Sequence, residues 1–192
     1  MTQHFRRLTL DDKHDYLTLM LAAYAPIKAL GIQFDAATAD LVRVTQHLDD
    51  HAVFALFDDQ RMAASVTLRF PWGAMPGPLG LPHIGWFGTH PDYAGQSLGK
   101  KLLGWLEDNI LIRELKAPAY SLGTATSHPW LRDMYLKLGF QPVFERDLGK
   151  GHITLYLKKI LDEKSHARWL ERQPPTGVEM LDITQEHQQL AA

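Results

Sequence analysis

The chain has 192 residues, 45% hydrophobic and 22% charged, which points to one domain, or one domain with an appendage, able to bury a core without metal or disulfide staples. Lys and Arg number 20 against 22 Asp and Glu, a net charge of -2, which removes any bulk electrostatic case for nucleic acid or an anionic membrane as partner. The absence of cysteine excludes a disulfide framework, a thiolate zinc site and a cysteine nucleophile.

Residues 1–8 carry no signal-peptide core, and the longest greasy stretch, 17–25, is far short of a membrane span. A cytoplasmic protein is the expectation. Residues 5–8 read as a first strand. Thr9 to Asp12 then resembles a capping box, with Asp in place of Glu or Gln. Tyr16, Leu17, Met20, Leu21 and Tyr24 share one helical face. Pro26 and Gly31 interrupt, and a second helix is predicted over 36–48. Strands follow at 52–57 and 61–70, joined by the polar turn 58–60. Residues 71–82 hold four prolines and three glycines and form a loop, with Trp72 and Met75 partly exposed.

A short strand is predicted over 83–89 and a helix over 98–112, with Leu98, Leu102, Leu103, Leu106 and Ile110 inward. Residues 119–122 make another strand. The helix at 129–138 has Pro129 at its first position and Gly139 after its end, with Phe140 supplying the hydrophobic contact beyond. Strands at 142–145 and 152–157 complete a mixed α/β sandwich around one sheet. Residues 161–192 form an appendage: a helix over 161–172, a breaker at 173–177 and a strand over 178–184. It is too small to fold alone, so it packs on the body, residues 1–160, or on a second subunit in a homodimer.

The most informative segment is IGWFGTHPDYAGQSLGKKLL, residues 84–103. A strand gives way to a glycine-bearing loop and then to a helix start. The N–H groups there lack intrahelical partners and lie at the positive dipole end, a ready phosphate site. Lys100 and Lys101 add charge. The loop is not a P-loop, because Gly95 and Gly99 enclose three residues rather than four, and the dinucleotide fingerprint G-x-G-x-x-G is absent.

Two segments carry a family resemblance. Ala94-Gly95-Gln96-Ser97-Leu98-Gly99 is similar to the Arg/Gln-x-x-Gly-x-Gly/Ala loop of the GNAT N-acetyltransferases. Tyr135-Leu136-Lys137-Leu138-Gly139-Phe140 is similar to their Tyr-x-Lys-x-Gly-Phe segment. Both occur in the family's order with suitable elements between. The resemblance implies a GNAT-like mixed central sheet flanked by helices, with the short C-terminal appendage beyond it. It also implies transfer of acetyl from acetyl-CoA to a primary amine by direct attack in a ternary complex. Two positions depart from the pattern: Ala94 replaces a basic or amide residue, and Ser97 replaces a glycine. If position 97 needs a left-handed backbone, serine costs about 1 kcal/mol or more there.

Carried over by position, the backbone of Phe87, Gly88 and Thr89 would pair with the pantetheine arm. The amides of Gly95, Gln96, Ser97, Leu98, Gly99 and Lys100 would hold the pyrophosphate, and His128 would touch the cofactor. Tyr135 would be the general acid at the thioester sulfur. His83, with a histidine's usual pKa near 6.5, is the candidate base. His90 and a water chain remain alternatives. Tyr135 could equally be core filler, and His83 a solvent-exposed strand-edge residue. No metal-ligand spacing occurs, so no metal is assigned. The pairs Asp11-Asp12, Asp49-Asp50 and Asp58-Asp59 read as solvated turns and caps. Trp72, Trp86 and Trp130 read as core or pocket wall. Tyr16, Tyr24 and Phe34, with the 71–82 loop, would shape a pocket for a small-molecule amine or a groove for a peptide amine. The rival readings are a non-catalytic acyl-CoA binding module and an interaction protein on the same fold.

Overall fold

A computed structural model describes residues 2–128 and 130–172. The first strand, β1 (Gln3–Arg7), is followed by Thr9, whose amide donates to the Asp12 carboxylate at 2.8 Å. The Asp12 side chain also holds the Arg6 guanidinium at 2.6 Å. Helix α1 (Lys13–Ala29) buries Tyr16, Leu19, Met20 and Tyr24 along one stripe. It runs one turn past Pro26, because a missing N–H so near the end removes a single ladder bond. The predicted helix over 36–48 is split. A 3-10 turn (Asp35–Thr38) gives way to extended Ala39, and α2 (Leu41–Asp50) starts afresh where the Asp40 carboxylate accepts from the Arg43 amide at 2.8 Å.

Strands β2 (Ala52–Asp58), β3 (Arg61–Arg69) and β4 (His83–Thr89) continue the sheet. Helix α3 (Leu98–Leu106) carries on as a π-helical segment, Glu107–Glu114, where an α-helix to 112 is predicted. Glu107 lies between two donors, the Tyr120 hydroxyl at 2.5 Å and the Lys159 ammonium at 2.6 Å. Then come β5 (Ala119–Ala125), α4 (Leu131–Lys137), β6 (Gln141–Asp147), β7 (Ile153–Ile160) and α5 (Glu163–Glu171). The predicted breaker at 173–177 and strand at 178–184 lie outside the described residues.

The sheet order is β1-β2-β3-β4-β5-β7-β6, antiparallel except where β4 meets β5. Strand β2 is apolar on both faces because both are covered. Phe54 and Leu56 join the core under α3, with Leu102, Leu103 and Leu106. Val53, Ala55 and Phe57 join the core under α1 and α2, with Tyr16, Met20 and Val44.

Two irregularities in β4 position the site. Its parallel pairing with β5 ends after His83↔Ser121 and Ile84↔Leu122, although both strands run on. The sheet therefore opens into a wedge. Against β3, three steps from Gly85 to Gly88 oppose two from Thr67 to Ser65, a bulge that leaves Trp86 at a φ of 40°. Among the described residues no helix is long and apolar enough to cross a membrane.

Candidate active site

At the C-terminal end of β4 the chain turns through residues 90–97 into α3. His90, one candidate base, serves as a cap here: its Nδ1 accepts the Asp92 amide at 3.2 Å, and its ring is not in the cavity wall. Gly95 and Ser97 both take left-handed angles, with φ of 77° and 57°. The backbone at 97 is thus the kind that favours glycine, and serine adopts it at a cost of about 1 kcal/mol. The first intrahelical bond is Lys101 N–H to the Ser97 carbonyl at 3.0 Å. The amides of Gly95, Ser97, Leu98, Gly99 and Lys100 meet no acceptor among the described residues, while that of Gln96 donates to the Tyr93 carbonyl at 3.2 Å. Five free donors fan out at the positive end of a nine-residue helix, fitted to an anion such as a pyrophosphate. The Ser97 hydroxyl makes no capping bond, and Lys100 is exposed beside it.

Within the wedge, a cavity of about 570 Å³ is walled by α1, α2, β3, β4, β5, α4 and β7. Phe87 lies on its β4 side, where its carbonyl accepts from the Tyr24 hydroxyl at 3.2 Å. Gly88 lets α1 close over the strand, since a Cβ there would lie 2.8 Å from the Ala23 methyl. Gly99 does the same for α3, where a Cβ would lie 2.9 Å from the Thr89 hydroxyl.

Tyr135 reaches the cavity from α4. Its helix ends in a Schellman motif, Phe140 N–H to the Tyr135 carbonyl at 3.1 Å and Gly139 N–H to Leu136 at 3.0 Å. The Phe140 ring stands edge-on against the phenol at 5.5 Å. The motif that marks the helix end in the sequence therefore also fixes the tyrosine. Burial pushes its pKa up, so the hydroxyl keeps its proton and remains a donor.

His83 lines the opposite part of the wall, but it is no strand-edge residue exposed to solvent: it is 3% exposed, with Nδ1 2.8 Å from the Ser121 hydroxyl. The 71–82 loop covers it so tightly that a Cβ at Gly77 would lie 2.5 Å from the ring. Burial, with help from the Arg69 charge, pushes its pKa down to about 3, far from the 6.5 expected of a free histidine. The ring is neutral at any physiological pH. His128 is buried beside Trp130 outside this wall, its Nδ1 without a partner among the described residues, and burial lowers its pKa.

Of the three tryptophans read as core or wall, only Trp86 lines the cavity; Trp72 and Trp130 are exposed. Tyr24 and Phe34 line the cavity as expected, whereas Tyr16 is fully buried behind it, its hydroxyl 3.2 Å from that of Thr67. The sequence reading missed the wall residues Arg43, His47 and Arg69. His47 stacks on Trp86 at 3.9 Å, with Nε2 2.8 Å from the Thr67 hydroxyl. The glycines flanking Trp86, at 85 and 88, were the one sign of irregularity in that strand. Among the described residues no group of three or more metal-ligating side chains gathers.

The acetyltransferase (GNAT) family model matches residues 20–140. The chain belongs to this family. Two curated relatives from Bacillus subtilis (strain 168) are similar over most of its length. One is S-(2-succino)cysteine N-acetyltransferase, 48% identical over 84% of this chain and 98% of its own. The other is S-alkylcysteine N-acetyltransferase, 38% identical over 82% of this chain and 88% of its own. The fold is that of the PaiA N-acetyltransferase from Thermoplasma acidophilum, solved in complex with coenzyme A, with a TM-score of 0.63 at 16% identity over 83% of this chain and 99% of that one. A probable acetyltransferase from Staphylococcus epidermidis gives 0.65 at 13% identity over 83% of this chain and 99% of that one. This GNAT protein is accordingly an N-acetyltransferase acting on an amine, and the non-catalytic readings are not favoured.

Proposed function

We propose that this GNAT enzyme acetylates the α-amino group of a free S-substituted cysteine, with acetyl-CoA as donor. The observation that carries the reading is the β4–β5 wedge, with a fan of free amides beyond one end of β4 and a half-open cavity of about 570 Å³, walled in part by Tyr135, along the strand. Similarity to two enzymes named for S-substituted cysteines supports the acceptor class. The free amides at 95 and 97–100 would hold the pyrophosphate, and the unpaired edge of β4 from Phe87 to Thr89 would take the pantetheine arm. Acetyl-CoA supplies an activated acetyl thioester.

The chain's own groups then do three things. The half-open cavity withdraws the reacting centre partly from bulk water. Tyr135, held protonated by burial, donates to the departing sulfur. His83, neutral and tied to Ser121, orients rather than ionises, and the amine's proton leaves through water. The α-amine of a free amino acid, raised by its own carboxylate above the chain-terminus value of about 7.7–8.0, still lies below a lysine's about 10.4 and so needs less help. Nearby positive charge lowers it further. No strong base is required.

The test is an acceptor screen with acetyl-CoA, reading released thiol and product mass. Acetylated S-substituted cysteines are expected, with free lysine and peptide termini poor acceptors. Turnover confined to peptides, or none with any S-substituted cysteine, would overturn the reading.

A further inference from the structure

We propose that the acceptor bears a carboxylate on its sulfur substituent, beyond the amino acid's own, and that Arg69 selects for it. This rests on the reading that the acceptor is an S-substituted cysteine. The net charge of the whole chain hides the local one. The cavity wall carries three cations, Arg43, Arg69 and Lys150, but one carboxylate, Asp35. Asp35 is already engaged, by Lys150 at 3.2 Å and Arg43 at 3.9 Å.

Arg69 meets no carboxylate within 4 Å among the described residues; its one protein acceptor there is the Met75 carbonyl at 3.3 Å. Its remaining donors meet no acceptor among the described residues, and the side chain lines the cavity. It is also built into place. It ends β3 opposite His83, and its Nη2 lies 3.5 Å from where a Gly85 Cβ would be, ordinary contact distance, so the guanidinium packs against the β4 backbone. The other polar neighbours, His47, His51 and His83, are neutral or cationic in any ionisation state and cannot balance it.

A half-buried guanidinium with spare forked donors is matched to a carboxylate. The amino acid's own carboxylate is balanced by its amine only until that amine gives up its proton to react, so an S-alkyl cysteine answers at most one of the wall's two surplus charges. A substituent with two carboxylates, such as 2-succinyl, meets that surplus of two charges. Binding there would also leave the α-amine free to point at the Tyr135 side.

The experiment compares S-(2-succino)cysteine with S-methylcysteine in wild-type protein and in Arg69→Gln. Wild type is expected to prefer the succinyl acceptor. The variant is expected to lose roughly a hundredfold in kcat/KM for it, mostly through KM, while S-methylcysteine changes by less than about threefold. Raising salt from about 0.05 to about 0.5 M should raise KM for the succinyl acceptor alone. Arg69→Lys, which restores the charge without the fork, should recover part of the loss. Equal loss for both acceptors, or no loss, overturns the proposal. If Arg69→Gln fails to fold, the salt dependence and the lysine variant decide it. Wild type that acetylates S-methylcysteine but not the succinyl acceptor sinks the acid preference and leaves the S-substituted cysteine reading standing. Wild type that acetylates neither sinks both.

Discussion

The two ends of the wedge are built from different materials. At the 94–100 loop the donors are main-chain amides, the side chains are largely exposed, and the geometry depends on two left-handed residues. At the cavity end the wall is made of side chains from seven elements, several buried and shifted from their ordinary ionisation. A main-chain site tolerates replacement of side chains such as Ala94, because the N–H groups stay where the fold puts them. A side-chain site changes chemistry with each substitution. Donor binding should therefore survive most mutations at the loop, while acceptor choice and turnover should respond to single changes in the cavity.

The largest test of that contrast is acid. His47 and His83 are buried, with pKa values pushed down to about 3. In the unfolded chain each would titrate near 6.5, so below that pH the unfolded state binds protons that the folded state refuses. Their contribution is whole above about pH 6.5 and falls as pH drops towards 3, by up to about 1.4 kcal/mol per pH unit for each histidine. Urea unfolding at pH 7, 6 and 5 should show this slope, and the double variant His47→Gln, His83→Gln should flatten it. An identical slope in the variant would mean that water reaches both histidines in the folded state.

Next in size is Tyr135→Phe. Losing a proton donor at the departing sulfur should lower kcat by roughly a hundredfold. The CoA dissociation constant should stay within about threefold, because the main-chain donors are untouched. Unchanged kcat would remove Tyr135 from the acid role. Smaller again is Gly77→Ala, whose new methyl would lie 2.5 Å from the His83 ring. Relief requires the 71–82 loop to move, at about 1–3 kcal/mol of stability. The acceptor KM should rise with little effect on CoA affinity, measured by denaturation and steady-state kinetics together.

How much of this was legible in the sequence follows the same division. The loop and α4 could be read because their signals are local: Gly95 and Gly99 around a helix start, and Gly139-Phe140 closing a helix that carries Tyr135. A sheet covered on both faces could be anticipated from apolar runs such as 52–57. The bulge at Trp86 could not, since it is set by register against β3 rather than by local preference. Nor could the role of Arg69, which looks like any polar strand end until β4 and the 71–82 loop close over it. His83 was placed on its strand correctly, but its ionisation depends on burial by a loop whose path no periodicity describes. The split of the 36–48 helix turns on Asp40, a cap whose side chain competes with helix continuation.

The smallest expected effect probes the loop at Ser97, which stands where the family pattern has a glycine. Ser97 holds a φ of 57°, which a glycine would adopt without penalty. Ser97→Gly should relieve about 1 kcal/mol of backbone cost in the folded state. It also frees the unfolded chain by a comparable amount, about 0.5–1 kcal/mol, so the two nearly cancel. Unfolding stability should move by less than about 0.5 kcal/mol. Because the phosphate donors are amides, CoA affinity should move by less than about threefold, in either direction. Ser97→Val, whose branched side chain resists the left-handed region, should instead lose stability and weaken CoA binding together. A large loss of affinity in Ser97→Gly alone would show that the free Ser97 hydroxyl is itself a phosphate donor, and the loop would then rely on side chains as the cavity does.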